Sequence, residues 1–332
     1  MMPHLRLRLC IATLAFAVVS PARAAQPPEP CVVIAHRGAS GYLPEHSLPA
    51  YRLAIQLGAD FIEPDLVMTR DGILVARHER QLQASTNVAE LPEFAARRAT
   101  QTLFGTTVTD WFVEDFTLAE LQQLRVRETR PEVRPGNVAF NDRFSIPTLA
   151  EVIGVLREEG KRSGRIVGLY PELKDPEVFR ARGLDPERAL LAELKGIAVP
   201  VYIQSFDADS LRRLRPLTTL PLVQLLDSAP PDAAPLPPPD FKAIAAYAQG
   251  LGVPKALITG PGEFVARARE AGLFVHGWTF RGENLYLSPA FRSGTDPVAR
   301  GNLAGEIAAA LERGMTGFFT DQPDVGRQVC PM

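Results

Sequence analysis

The sequence has no run of basic residues and no arginine stripe, which argues against a nucleic-acid partner. Its N-terminal apolar run, Leu9–Val19, is shorter than the roughly 20 residues a spanning helix needs, so stable membrane insertion is not expected. Cysteine is scarce, three in 332 residues. None falls among the acids and histidines between positions 36 and 78, which turns a candidate metal site there away from zinc and toward a hard cation.

What surrounds the short apolar run is informative. Arg6 and Arg8 precede it, and Ser20-Pro21 and Ala22-Arg23-Ala24 follow it. A charged head, a short hydrophobic core and a small-x-small site are expected to form a secretory signal peptide over residues 1–24, cleaved near Ala24, with a periplasmic or secreted domain over 25–332. A retained N-terminal anchor is the alternative. Cleavage removes three arginines and no acids, leaving 33 basic residues against 38 acidic, a net of −5. Two cysteines then remain, Cys31 and Cys330; in an exported protein they form a candidate bridge, with two unconnected thiols equally open.

The chemistry concentrates between Val32 and His78. Val32–Ala35 is a β-branched run typical of a buried strand, and it ends abruptly at His36-Arg37-Gly38. Ser47 is placed to cap a helix over Leu48–Leu57 that Gly58 stops. Phe61-Ile62 leads into Glu63-Pro64-Asp65, where the two acids share one face of a strand. Asp71-Gly72 reads as the two-residue turn of a hairpin, a register that sets His78 opposite Asp65. Carboxylates and a histidine therefore converge, with His36 delivered by the neighbouring strand. Oxygen ligands of this kind suit one hard divalent cation, Mg²⁺ or Ca²⁺. Histidines beside them suit acid–base work near neutral pH.

Residues 79–146 are polar and turn-rich and read as an insertion, with a capping box at Thr117–Glu120 opening a helix over Leu118–Arg125. From Pro147 onward helices and short apolar runs alternate. Runs beginning near 32, 61, 166, 200, 221, 251, 273 and 317 make eight strands, nearly all separated by helices, which predicts an α/β fold of the (β/α)₈ TIM-barrel type. Strand after strand is apolar first and polar last: His36, Glu63 and Asp65, Glu172, Gln204, His276, Asp321. In a barrel those ends share the rim where active sites sit.

At this point the residues resemble the glycerophosphodiester phosphodiesterase family, its periplasmic bacterial branch in particular. The resemblance is carried by His36-Arg37-Gly38, Pro44-Glu45-His46-Ser47, Glu63-Pro64-Asp65, His78, Tyr170–Lys174, Gln204–Asp207, Val275-His276 with Thr279–Arg281, and Thr320–Asp324. It spans about residues 32–325. The family usually has His-Asp followed by Leu-Asp-Arg near the hairpin; here His78 is followed by Glu79, and Leu82 by Gln83-Ala84. The resemblance implies a (β/α)₈ barrel with an insertion, and hydrolysis of sn-glycerol-3-phosphodiesters to glycerol 3-phosphate and an alcohol.

Residue by residue, Glu63, Asp65 and Glu172 are the candidate metal ligands, and His36 and His78 the acid–base pair. Arg37 is the candidate phosphate clamp, with Lys174, Gln204 and His276 as further substrate contacts and Glu45 as a residue orienting His36 or Arg37. Trp278 reads as core or wall. A phospholipase D-like enzyme of the same fold and a non-catalytic exported binding protein are the alternatives. The intact set of acids and histidines weighs against the binding protein.

Overall fold

A computed structural model describes residues 31–103, 105–227 and 239–331. The predicted signal peptide and most of the proline-rich loop after position 226 lie outside the described residues. The eight expected strands form a closed parallel ring. They are β1 (Val32–His36), β2 (Phe61–Glu63 and Asp65–Met68), β3 (Gly168–Leu169 and Glu172–Leu173) and β4 (Ile203–Ser205). The ring continues through β5 (Leu222–Leu225), β6 (Gly250–Pro254), β7 (Phe274–Phe280) and β8 (Gly317–Thr320). Each strand pairs with the next, and β8 pairs with β1 to close the barrel.

Two prolines shape this ring. Pro64 lies between the two halves of β2, and Pro171 between the two halves of β3, because a residue without an N–H cannot donate to the ladder. Both barrel strands are broken just where their acids project. Pro64 is thus inside a barrel strand, not at an edge or end as its chemistry alone would favour.

Helices cover the outside. Leu48–Gln56 starts where Ser47 accepts a bond from Ala50 N, and Leu149–Ser163 starts with a capping box built by Thr148 and Glu151. The helix expected at Leu118–Arg125 shortens to Leu118–Leu121, although its Thr117–Glu120 capping box forms. Apolar residues of strands and helices fill one continuous core between the layers. A second cluster, Ile34, Phe61, Tyr170, Val223 and Phe319, plugs the barrel interior. No helix among the described residues is long and apolar enough to cross a membrane.

The hairpin register differs from the sequence expectation. Its pairs are Leu66–Ala76, Val67–Val75 and Met68–Leu74, so the loop is Arg70-Asp71-Gly72 closed by Thr69 and Ile73, three residues instead of two. Gly72 adopts φ 83°, the left-handed position that a three-residue loop requires. The extra residue places Arg77, not His78, opposite Asp65, and Arg77 N donates to Asp65 O at 2.9 Å.

The insertion carries structure of its own that polar composition concealed: a two-stranded hairpin, Ala99–Leu103 with Thr106–Asp110, and several short helical turns. Cys31 and Cys330 meet as a disulfide pair with Cα atoms 5.7 Å apart, tying the start of β1 to the helix Pro323–Val329.

Candidate active site

Every strand end at the C-terminal rim opens onto one cavity of about 660 Å³. Glu63 and Asp65 enter it from either side of Pro64, and Glu172 from the residue after Pro171. All three are buried, and each offers an oxygen within 4.8 Å of the others. Burial, together with the repulsion of its neighbours Asp65 and Glu172, pushes the Glu63 carboxyl well above the usual range. Burial likewise raises Glu172, against the pull of Lys174. Burial also pushes Asp65 upward, but Lys174 and Arg37 overcome it and hold that carboxyl well below the usual range.

Three hard oxygen donors crowded out of water share Lys174, 2.8 Å from Glu172 and 3.6 Å from Asp65, and Arg37, 3.1 Å from Asp65 and already paired with Glu45, which leaves them short of positive charge. Gln204 Oε1, beside them, is buried without a partner. The donor set fits a hard divalent cation.

Arg37 sits where β1 gives way to the first loop, at φ 58°, a conformation that costs most side chains about 1–3 kcal/mol and clusters at functional sites. The turn aims its N–H at Glu63 Oε2, 2.8 Å away. Its guanidinium grips both oxygens of Glu45 at 3.0 Å and passes 3.1 Å from Asp65 Oδ2. Glu45 therefore orients Arg37 and not His36. The next residue must be glycine: Gly38 has φ 83°, and a Cβ there would lie 2.7 Å from the backbone carbon of Ala50.

The two histidines reach the same cavity. His36 is 8% exposed, and its Nδ1 lies 2.7 Å from Asp321 Oδ1. Burial pulls its imidazole down to about 3, aided by Arg37 and opposed by Asp321. His78 lies just beyond the hairpin ladder, with Nδ1 2.5 Å from Glu79 Oε1. The register shift leaves it at the cavity because the chain leaves the ladder after Arg77.

Lys174 and Gln204 line the cavity as expected of substrate contacts, Gln204 donating to Glu63 Oε1 at 3.3 Å. His276 does not line it. The strand β7 runs on to Phe280, so His276 falls early in it, inside the barrel, against Tyr170, Tyr202 and Phe274. The rim contact expected of His276 is thereby corrected. Phe206, Trp278 and Tyr286 also line the cavity, Phe206 with its ring centroid 5.6 Å from Lys174 Nζ.

Five residues given no role by sequence reasoning, His46, Tyr51, Asp321, Arg281 and Arg134, complete the site. His46 bridges Asp65 Oδ2 at 3.0 Å and Tyr51 Oη at 2.7 Å, fixing one acid of the triad. Asp321, fully buried, binds His36 and accepts from Arg281 Nε at 2.8 Å. Arg134 of the insertion also binds Asp321. The position of Asp321 at a strand end was a signal for it; nothing local distinguishes Arg134 among the many arginines of the insertion.

The chain matches the glycerophosphoryl diester phosphodiesterase family over residues 36–325. It is 33% identical to a glycerophosphodiester phosphodiesterase of Arabidopsis thaliana, over 87% of this chain and 82% of that protein. It is 31% identical to one of Bacillus subtilis, over 91% and 87%. Among solved structures, a putative glycerophosphoryl diester phosphodiesterase from Silicibacter pomeroyi superposes with a TM-score of 0.68 at 23% identity, covering 92% of this chain and 94% of that one. A phosphodiesterase of Oleispira antarctica in complex with the product sn-glycerol-3-phosphate gives 0.63 at 21%, covering 90% and 96%. These two likenesses speak for the barrel.

Proposed function

Because the chain belongs to the glycerophosphoryl diester phosphodiesterase family, we propose that it hydrolyses sn-glycerol-3-phosphodiesters to glycerol 3-phosphate and an alcohol in this cavity. The observation that carries the reading is the meeting of three buried carboxylates, two histidines, Arg37 and Lys174 around one space. Glu63, Asp65 and Glu172 would hold one divalent cation, Ca²⁺ in preference to Mg²⁺. When bound, such an ion neutralises charge on phosphoryl oxygens and lowers the pKa of a nearby hydroxyl.

The protein's own groups do the rest. Arg37 and Lys174 face the phosphate oxygens, and Glu45 keeps the Arg37 fork in place. Nδ1 of His36 is engaged by Asp321, so its Nε2 is the nitrogen left for the reacting groups. One histidine takes a proton from the attacking oxygen, that of a water or of the substrate's own glycerol hydroxyl, as it bonds to phosphorus; where the hydroxyl attacks, a water then opens the cyclic phosphate to glycerol 3-phosphate. The other donates a proton to the alcohol oxygen as the second P–O bond breaks. Tyr51, through His46, keeps Asp65 from swinging away.

The chain is proposed to be exported, with residues 1–24 removed, and to belong to the periplasmic branch of the family. The Cys31–Cys330 pair supports that reading, since disulfides persist in oxidising compartments.

The test is release of glycerol 3-phosphate from glycerophosphocholine by the purified mature protein. Turnover is expected with Ca²⁺ or Mg²⁺, its loss in EDTA, and its return when the ion is restored. No release with either ion present would overturn the proposal.

A further inference from the structure

We propose that Arg134, carried on the insertion, is a positioning residue for His36, acting through Asp321. The inference rests on the acid–base role given to His36 above.

The network begins at the strand ends. Asp321 follows β8 and has no exposed surface. One of its oxygens meets His36 Nδ1; the other takes Arg281 Nε and Arg134 Nη2. The remaining Arg134 nitrogens are committed as well, Nε to Glu283 Oε1 at 2.8 Å and Nη1 to the Ser40 carbonyl at 2.9 Å. The Arg134 side chain is 3% exposed and is not part of the cavity lining, so it does not meet the substrate. It joins three separate pieces of the rim: the loop after β1, the loop after β7, and the end of β8.

A planar fork with three fixed partners can hold its target in one place, which a flexible ammonium does less well. Held on one oxygen by two guanidiniums, Asp321 stays ionised and presents the other to His36. A carboxylate on Nδ1 selects the tautomer with the proton there and fixes the ring plane, leaving Nε2 toward the cavity. Asn137, one turn further along the insertion, donates to the same Ser40 carbonyl at 3.2 Å and to Glu128 at 2.8 Å, which anchors the segment carrying Arg134. The insertion is on this view part of the catalytic apparatus and not only a cover.

The experiment compares Arg134→Met, Arg134→Lys and the double variant Arg134→Met/Glu283→Gln with wild type. The double variant removes the carboxylate that Arg134→Met would strand, and it carries the test should the single variant fail to fold. With glycerophosphocholine, kcat is expected to fall about 10–100-fold in the Met variants, with KM changed less than about threefold. Arg134→Lys is expected to recover part of kcat. Spectra of ¹⁵N-labelled histidine should show the His36 ring, assigned by comparison with His36→Gln, moving away from the Nδ1-protonated tautomer in the Met variants. A folded Met variant with wild-type kcat and an unchanged tautomer would overturn the inference. His36→Ala serves as the separate check: if it keeps wild-type turnover, the acid–base reading itself fails, whatever Arg134 does.

Discussion

On the β1–β8 side of the barrel mouth, His36 leans on a buried carboxylate that two arginines hold, one of them 187 residues distant from it in sequence. On the hairpin side, the His78 side chain is 29% exposed and leans on Glu79, its immediate neighbour, which is 56% exposed. The same residue type is thus supported by tertiary contacts in one place and by a local contact in the other. Burial makes the difference matter. A charge pair in solvent is screened and worth little, whereas a buried carboxylate must be fully satisfied and then holds its partner rigidly. His36 is held in one orientation by buried partners, whereas the partner recorded for His78 is an exposed neighbour.

The comparison concerns support and not importance, so the largest effect should be shared. His36→Ala and His78→Ala are each expected to lower kcat by about 10² or more, measured at saturating glycerophosphodiester. Near-normal turnover in either variant would remove that histidine from the chemistry and end the comparison.

The next largest effect should separate the two sides. Asp321→Asn is expected to lower kcat about 10–100-fold, since it strands two guanidiniums and loosens the His36 tautomer. Glu79→Gln should stay within about threefold, because the exposed Glu79 gives His78 little that water cannot. Equal losses would mean that burial is not what distinguishes the two supports.

Acid should test the burial of His36 through stability. The folded-state value of His36 is depressed from 6.5 to about 3, chiefly by burial, so between those values the unfolded chain binds a proton that the folded chain does not. The stabilisation is therefore complete above pH 6.5 and is lost progressively as pH falls toward 3. His36→Gln is expected to shrink the difference between urea midpoints at pH 7 and pH 4.5. A variant with the wild-type difference would show that the ring is not buried neutral.

The smallest effect on catalysis should come from the far side of the barrel. Reducing the Cys31–Cys330 pair is expected to lower the thermal midpoint, with a stability cost of about 2–4 kcal/mol, while kcat below the transition changes little. Intact mass of the unreduced protein, two hydrogens lighter than the reduced form, checks that the bridge exists.

Much of the site could be read from the chain itself. Glu63 and Asp65 lie two apart on one strand, and a period of two puts them on one face whatever the rest of the protein does. His36, Glu172 and Asp321 each close an apolar run, and in a barrel every such end belongs to one rim. Where local pattern was overruled, a specific geometry did it. Gly72 took the left-handed position of a three-residue loop, shifting the hairpin by one. The strand β7 ends at Phe280, four residues past His276, so that histidine packs on Tyr170 and Phe274 inside the barrel and not at its rim.

The eight alternating units, the helix caps at Ser47 and Thr117, and the acids and histidines at the strand ends were all legible along the chain, because periodicity and capping act within a few residues. What holds those groups in place was not legible there. Arg134 on Asp321, His46 on Asp65 and Glu45 on Arg37 are contacts between loops and strands that the chain brings together from different places. Side-chain partners across a barrel mouth obey no sequence period; they follow from where closed strands leave their ends.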